Sequence, residues 1–243
     1  MMHTHGLQHA GRMNGNTLDE YGEYGDPSDV MGAFAGAGNG LLCPNAPNRY
    51  LLGWASTIAE NDGDREGSFG NLAAANFTRD SWIMGLTIPA ASQSSQSMVV
   101  VNIGAANTAV GAARTLYPRY YISYRVRNTT MGAFDSGLPA EQSRRVFIHA
   151  YNGTQDLRAP QNFHAKSVLL ASGQASFTWT SPFWNASVLL GGGLVVRVER
   201  VNDTEAIVAL CRQTMLKEAG EACGDGVDND CDGKPDSEDP DCL

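Results

Sequence analysis

Three residues near the start of the chain have the types and spacing of a metal site. His3, Gly6 and His9 form H-x-x-G-x-x-H. Two imidazoles so spaced can face one ion if the chain turns between them, and Gly6 supplies the freedom to turn. The spacing is that of the second half of the long zinc pattern H-E-x-x-H-x-x-G-x-x-H. There the first two His lie four apart on one helical face, and the third completes the ligand set from the following loop. With His3 as the second ligand, Met1 and Met2 fill the two x positions. The first His and the Glu would then stand immediately before Met1. His5 lies about 200° round a helix from His3 and cannot share the metal face. It reads as an exposed polar residue.

A second oxygen-rich group lies far downstream. Asp228, Asp230, Asp232, Asp236 and Asp239 occupy positions 1, 3, 5, 9 and 12 of a loop with Gly233 at position 6. Calcium takes six to eight hard oxygen ligands, and this spacing wraps them round one ion while the Gly makes the sharp turn. Asp239 stands where a longer bidentate Glu is usual, so the expected affinity is weak and suited to millimolar calcium. Cys223, Cys231 and Cys242 bracket the loop, and a disulfide there reduces the entropy of ordering it. Cys211 and Cys43 complete the disulfide candidates; the odd count leaves one unpaired and the connectivity open. The segment resembles a Cys/Asp-rich repeat at the ends of secreted proteins, some described as metal- or copper-binding. Carboxylate oxygens favour calcium over copper. The plainer alternative is an acidic, solubilising tail.

Support for the first metal site comes from the residues behind it. Tyr24-Gly25-Asp26-Pro27-Ser28-Asp29-Val30-Met31-Gly32 places Met31 twenty-two residues beyond His9. Metzincin peptidases carry a Met in a tight turn beneath their metal, and Gly25, Pro27 and Gly32 supply turn chemistry. Cys43-Pro44-Asn45-Ala46-Pro47-Asn48-Arg49-Tyr50-Leu51-Leu52-Gly53-Trp54 follows. In order and spacing these segments resemble the gametolysin family, extracellular zinc metallopeptidases of green algae that degrade cell-wall and matrix glycoproteins. The likeness is close over about the first 54 residues and looser behind them. It implies that His3 and His9 are zinc ligands and Met31 the Met-turn residue. It gives Asn45, Pro47, Gly53 and Trp54 structural positions only.

The departure from that pattern has a chemical consequence. A catalytic zinc site needs three protein ligands and an open position for water, with a carboxylate to take the water's proton. Asp19, Glu20 and Glu23 are not in the helical position beside a first His. The chain as written is therefore expected to be inactive or nearly so. The simplest expected cause is a start at an internal Met; a genuinely truncated pseudoenzyme is the other.

Behind residue 55 the pattern changes to short strands. Segments 82–88, 97–103, 120–126, 145–151, 166–170, 175–180, 194–201 and 204–210 are rich in β-branched and aromatic residues, with Gly, Pro, Asn and Ser between them. Leu194, Val196 and Val198 alternate with Arg197 and Glu199, as in a half-buried strand, and Asn202-Asp203 reads as a hairpin turn. The expected fold is α+β, mostly β. It comprises the C-terminal part of a metzincin catalytic domain (1–57), an antiparallel β-sandwich (58–212) and a short disulfide-stapled acidic tail (213–243). Trp179, Phe183 and Trp184 read as packing rather than a sugar platform, and His149 as a satisfied core imidazole. His164 reads as a loop residue, with no ligand role.

Charge and composition bound the partners. Residues 221–243 carry nine carboxylates and one Lys, whereas the other 220 residues balance to −1 within a total of −9. That argues against nucleic acid, whose phosphates need a basic surface. No apolar run approaches the roughly 18 residues of a membrane span. N-x-S/T acceptors stand at Asn76, Asn128, Asn152, Asn185 and Asn202. With the cysteines they point to a secreted protein, its leader expected with the missing start; sequons arising by chance in a Ser/Thr-rich chain are the plainer reading. The resemblance thus implies a zinc-dependent endopeptidase acting on extracellular matrix or cell-wall glycoproteins. The alternative is a non-enzymatic adhesion module that binds glycan or protein through the sandwich and the calcium tail. Oligomeric state is not set by these features.

Overall fold

A computed structural model describes residues 7, 9–14, 17–18, 24–33, 40–58, 71–73, 82–102, 119–151, 167–183 and 192–243. These residues are mostly β. One sheet has eight strands in the order β2 (Thr17–Leu18), β1 (Ala10–Asn14), β9 (Ser167–Gly173), β8 (Arg145–Tyr151), β7 (Arg119–Arg125), β6 (Gln96–Asn102) and β3 (Ser56–Thr57), with β4 (Asn71–Ala73) also on β6. The other has four: β10 (Thr178–Thr180), β11 (Gly193–Val201), β12 (Glu205–Gln213) and β5 (Ile83–Pro89). Among the described residues no helix is long and apolar enough to cross a membrane.

All eight expected strand segments are strands, with ends shifted by up to three residues. The larger sheet is mixed rather than antiparallel throughout: β1 runs parallel to β9, and β3 and β4 run parallel to β6. The sheet also joins strands from both sides of residue 57. The Asn202 turn forms as expected, with Asn202 Oδ1 accepting from the backbone nitrogens of Thr204 and Glu205 at 2.8 and 2.9 Å.

Side chains of successive residues point to opposite faces of a strand, and this period gives the larger sheet two buried faces. Tyr120, Ile122 and Tyr124 on β7 and Val146, Ile148 and Ala150 on β8 join one apolar cluster. Ile88, Leu194, Val196, Val198, Val208 and Leu210 of the smaller sheet complete it. Each such aliphatic side chain contributes about 1.5–3 kcal/mol on burial. The alternate residues Tyr121 and Tyr151, with Met98 and Val100, pack against Ala46 at the start of α1 (Ala46–Leu51). Arg125, Phe147 and His149 share this second face and are buried there.

The α1 helix is only six residues long and forms because its first turn is well supplied. Asn45 caps it, its side chain accepting from Asn48 N, and Pro47 sits in the first turn, where no N–H is required.

The tail docks on the outer face of the smaller sheet. Val195 points away from the central core and packs with Cys211, Cys231 and Trp82. Disulfides join Cys211 to Cys231 and Cys223 to Cys242; Cys43 is unpaired and buried. Trp82 Nε1 donates to Asp228 Oδ2 at 2.8 Å, and the Arg197 guanidinium lies 4.1 Å over the Trp82 ring.

Candidate functional site

His9 immediately precedes β1, so its backbone is fixed by the strand that follows. Ala10, the next residue, bonds to the Met31 turn in both directions. Its N–H donates to Met31 O at 2.9 Å, and its carbonyl accepts from Asp26 N at 3.1 Å. The two segments singled out for metal chemistry, nearly two dozen residues apart in sequence, are thereby neighbours. Gly32 is required at this junction: a Cβ there would stand 2.2 Å from Asp26 O and 2.9 Å from Ala10 O. Tyr24, half exposed at the start of the same turn, brings its hydroxyl to 2.9 Å from His9 Nε2, with ring centroids 4.0 Å apart. His3 lies outside the described residues.

The turn holds its shape through two buried carboxylates. Asp26 Oδ1 accepts from the Ser28 backbone N and hydroxyl at 2.8 and 2.6 Å. Asp29 Oδ1 accepts from Met31 N at 2.5 Å. The remaining oxygens tie the turn to its surroundings. Asp29 Oδ2 accepts from Asn45 N at 2.6 Å and Asn48 Nδ2 at 3.0 Å, fastening the turn to the start of α1. Asp26 Oδ2 lies 2.9 Å from both Asn45 Nδ2 and His149 Nε2, fastening it to β8.

A third anchor comes from β7. Arg125, buried, donates through Nε to Asp135 Oδ2 at 2.7 Å, with a second contact from Nη2 to Asp135 Oδ1. Its Nη2 also reaches Cys43 O at 3.0 Å, and its Nη1 reaches Ser28 O within the turn. A planar guanidinium with five N–H donors suits such a multiple contact.

Burial and charge act in opposite directions on this cluster. Burial alone would raise Asp26, but the charge and hydrogen bond of His149, together with hydrogen bonds from Ser28 and Asn45, outweigh it and hold the carboxyl below its ordinary value. Burial raises Asp29 to about 6, with the neighbouring Asp26 charge adding to the effect. Burial also raises the Cys43 thiol, assisted by Asp135. Burial and the Arg125 charge lower Arg49 to about 10. His149 is bound at one nitrogen, as expected of a core imidazole, but its Nδ1 is buried with no hydrogen-bond partner among the described residues.

At the tail, carboxylate oxygens of Asp228, Asp230 and Asp232 lie within 4.8 Å of one another, as do those of Glu218, Asp230 and Asp239. Asp236 belongs to neither group; its Oδ2 accepts from Gly226 N at 2.9 Å. Of the expected glycan acceptors, Asn128 is part-buried and Asn202 exposed; Asn76, Asn152 and Asn185 lie outside the described residues.

Sequence reasoning had no role for Tyr24, Asp26, Asp29, Arg125, Asp135 or Glu218. Asp26 and Asp29 stood inside the quoted turn segment, and the D-x-S-D pattern is a signal for side chains bonding nearby backbone N–H groups. Arg125, Asp135 and Glu218 carry no local signal, because their partners are distant in sequence.

The profile of a family described as gametolysin peptidase M11 matches residues 1–186, reaching well into the strand-rich region. The chain is 50% identical over 252 aligned residues to a protein named autolysin from Chlamydomonas reinhardtii, covering 99% of this chain and 38% of that protein. The chain therefore spans well under half the length of that relative. No solved structure matches. On the extent of the profile match and this identity, the chain belongs to the gametolysin peptidase M11 family.

Proposed function

We propose that this chain is part of a secreted, zinc-dependent endopeptidase that acts on cell-wall or extracellular-matrix glycoproteins. The single observation that carries the reading is the pair of backbone bonds linking Ala10, beside His9, to the Met31 turn. Metzincin sites require that a Met turn lie beneath the His ligands, and the three buried anchors that hold the Met31 turn beside Ala10 support that reading. His9 offers Nε2, and His3 is the second ligand in this reading. Bound zinc supplies Lewis acidity and a water of lowered pKa.

The rest of the chain divides the work. Residues 1–57 contribute the metal-site segment, and 58–212 form a β-sandwich, a reading supported by the apolar core that the two sheets share. Residues 213–243 form a calcium-binding tail, supported by its converging carboxylates.

The test is a pair of proteins. One is residues 1–243 as they stand, and the other carries His-Glu immediately before Met1. Chelator-sensitive cleavage of a cell-wall glycoprotein extract by the second, and not by the first, is the expected result. Absence of cleavage by both, with a glycan or protein still bound after His3 and His9 are changed to Ala, would replace the reading with that of an adhesion module.

A further inference from the structure

We propose that the tail holds a divalent cation of the hard, oxygen-seeking class, calcium, between Glu218, Asp230 and Asp239, so that the site is closed by a residue outside the 228–239 loop. This deepens the calcium reading of the tail given above and rests on it.

The oxygens converge to the right scale. One carboxylate oxygen from each of the three residues lies within 4.8 Å of the others. Calcium holds its oxygens at about 2.4 Å, so ligands on opposite sides of one ion stand about 4.8 Å apart.

The decisive observation is Asp239. It is wholly buried; its Oδ1 accepts from Asp241 N at 2.7 Å, yet its Oδ2 has neither solvent nor a hydrogen-bond partner among the described residues. A buried anionic oxygen without a partner is costly, and cations are the usual remedy. None of the three carboxylates has an ion-pair partner among the described residues. Lys217, beside Glu218 in sequence, is turned to Asp241 at 2.8 Å.

Glu218 is held ready rather than used up. It is almost wholly buried, and its Oε1 and Oε2 accept from Asn229 N at 2.7 Å and Asp236 N at 3.0 Å. Each carboxylate oxygen still has a second lone pair to offer. The alternative group is better satisfied without an ion. Asp228 Oδ2 accepts from Trp82 Nε1 and Gly233 N, both at 2.8 Å, and Asp228 Oδ1 accepts from Asp232 N at 3.1 Å. Asp232 Oδ1 accepts from Lys234 N at 2.8 Å. A cation at the Glu218 position would tie the segment just after β12 to the far end of the tail, across the Cys223–Cys242 disulfide.

The experiment is calcium titration by calorimetry on the full 243-residue chain with its disulfides formed, repeated with terbium and followed by luminescence sensitised through Trp82. Glu218→Gln and Asp239→Asn should each weaken calcium binding about tenfold or more, whereas Asp232→Asn should change it less than about threefold. Asp239→Asn preserves the acceptor for Asp241 N, and near-ultraviolet circular dichroism checks that each variant is folded. Should Asp239→Asn fail to fold, Glu218→Gln alone decides. Wild-type affinity in Glu218→Gln with a loss in Asp232→Asn would place the ion in the 228–232 loop and overturn the inference. No heat and no luminescence at millimolar metal would overturn both this inference and the calcium reading beneath it, while leaving the peptidase reading untouched.

Discussion

His149 Nε2 stands 2.9 Å from Asp26 Oδ2, and neither side chain has any contact with solvent. The pair joins the second face of the larger sheet to the turn that carries Met31. Replacing His149 by Ala leaves a buried carboxylate without its counterpart, and such losses cost about 3–5 kcal/mol. Urea denaturation at neutral pH reads the change. A cost below about 1 kcal/mol would mean that Ser28 and Asn45 hold the carboxylate alone.

Asp26 and Asp29 make opposite contributions to the pH dependence of stability. Asp29 has a folded value of about 6 against an ordinary 3.8. Between these limits the folded chain keeps a proton that the unfolded chain has released, so its contribution falls as pH rises through about 6. Asp26 lies below 3.8 in the folded chain, so its contribution is present above 3.8 and is lost as pH falls through its folded value. Asp230 in the tail shifts in the same direction as Asp29 and is common to both proteins compared. The urea midpoint of the wild type should gain more, relative to Asp29→Asn, at roughly pH 4.5 than at roughly pH 7.5. An identical pH profile in the two proteins would count against a raised Asp29.

If zinc takes His9 Nε2, as proposed above, the Tyr24 hydroxyl competes with it for that nitrogen from hydrogen-bond distance. Changing Tyr24 to Phe removes one neutral hydrogen bond of about 0.5–1.5 kcal/mol. Zinc affinity by calorimetry should therefore rise roughly threefold to tenfold. A fall in affinity would instead mark the phenol as part of the metal's own surroundings.

The Cys211–Cys231 bridge fastens the tail to β12 over a separation of 20 residues. Changing both to Ser should cost about 2–4 kcal/mol. The same variant should expose Trp82, whose ring is covered by Arg197 and whose indole nitrogen is bonded to Asp228. Thermal denaturation and Trp fluorescence together check this, and unchanged fluorescence would show that the tail docks without the bridge.

The strands were legible because their signals are local. Leu194, Val196 and Val198 alternate with Arg197 and Glu199, and the core cluster takes the first three. Short pieces such as β1 and β3 were not, since they are strands only by pairing with β9 and β6. The Met turn and H-x-x-G-x-x-H could be picked out because they are patterns of residue type, and the structure sets Met31 beside Ala10. What holds them together was hidden. Arg125 meets Asp135 ten residues away and Ser28 ninety-seven residues away, and His149 meets Asp26 across 123 residues. Only a folded sheet face brings such partners together. In the tail, the loop spacing suggested five oxygens round one point, but Asp236 turned to Gly226 N, and Glu218 entered from outside the loop.

The two bridges of the tail are interlaced, 211 with 231 and 223 with 242. A single backbone cut anywhere between residues 211 and 242 therefore severs the chain without releasing a fragment, because at least one bridge always spans the break. This end of the molecule can thus be nicked and still keep every residue attached.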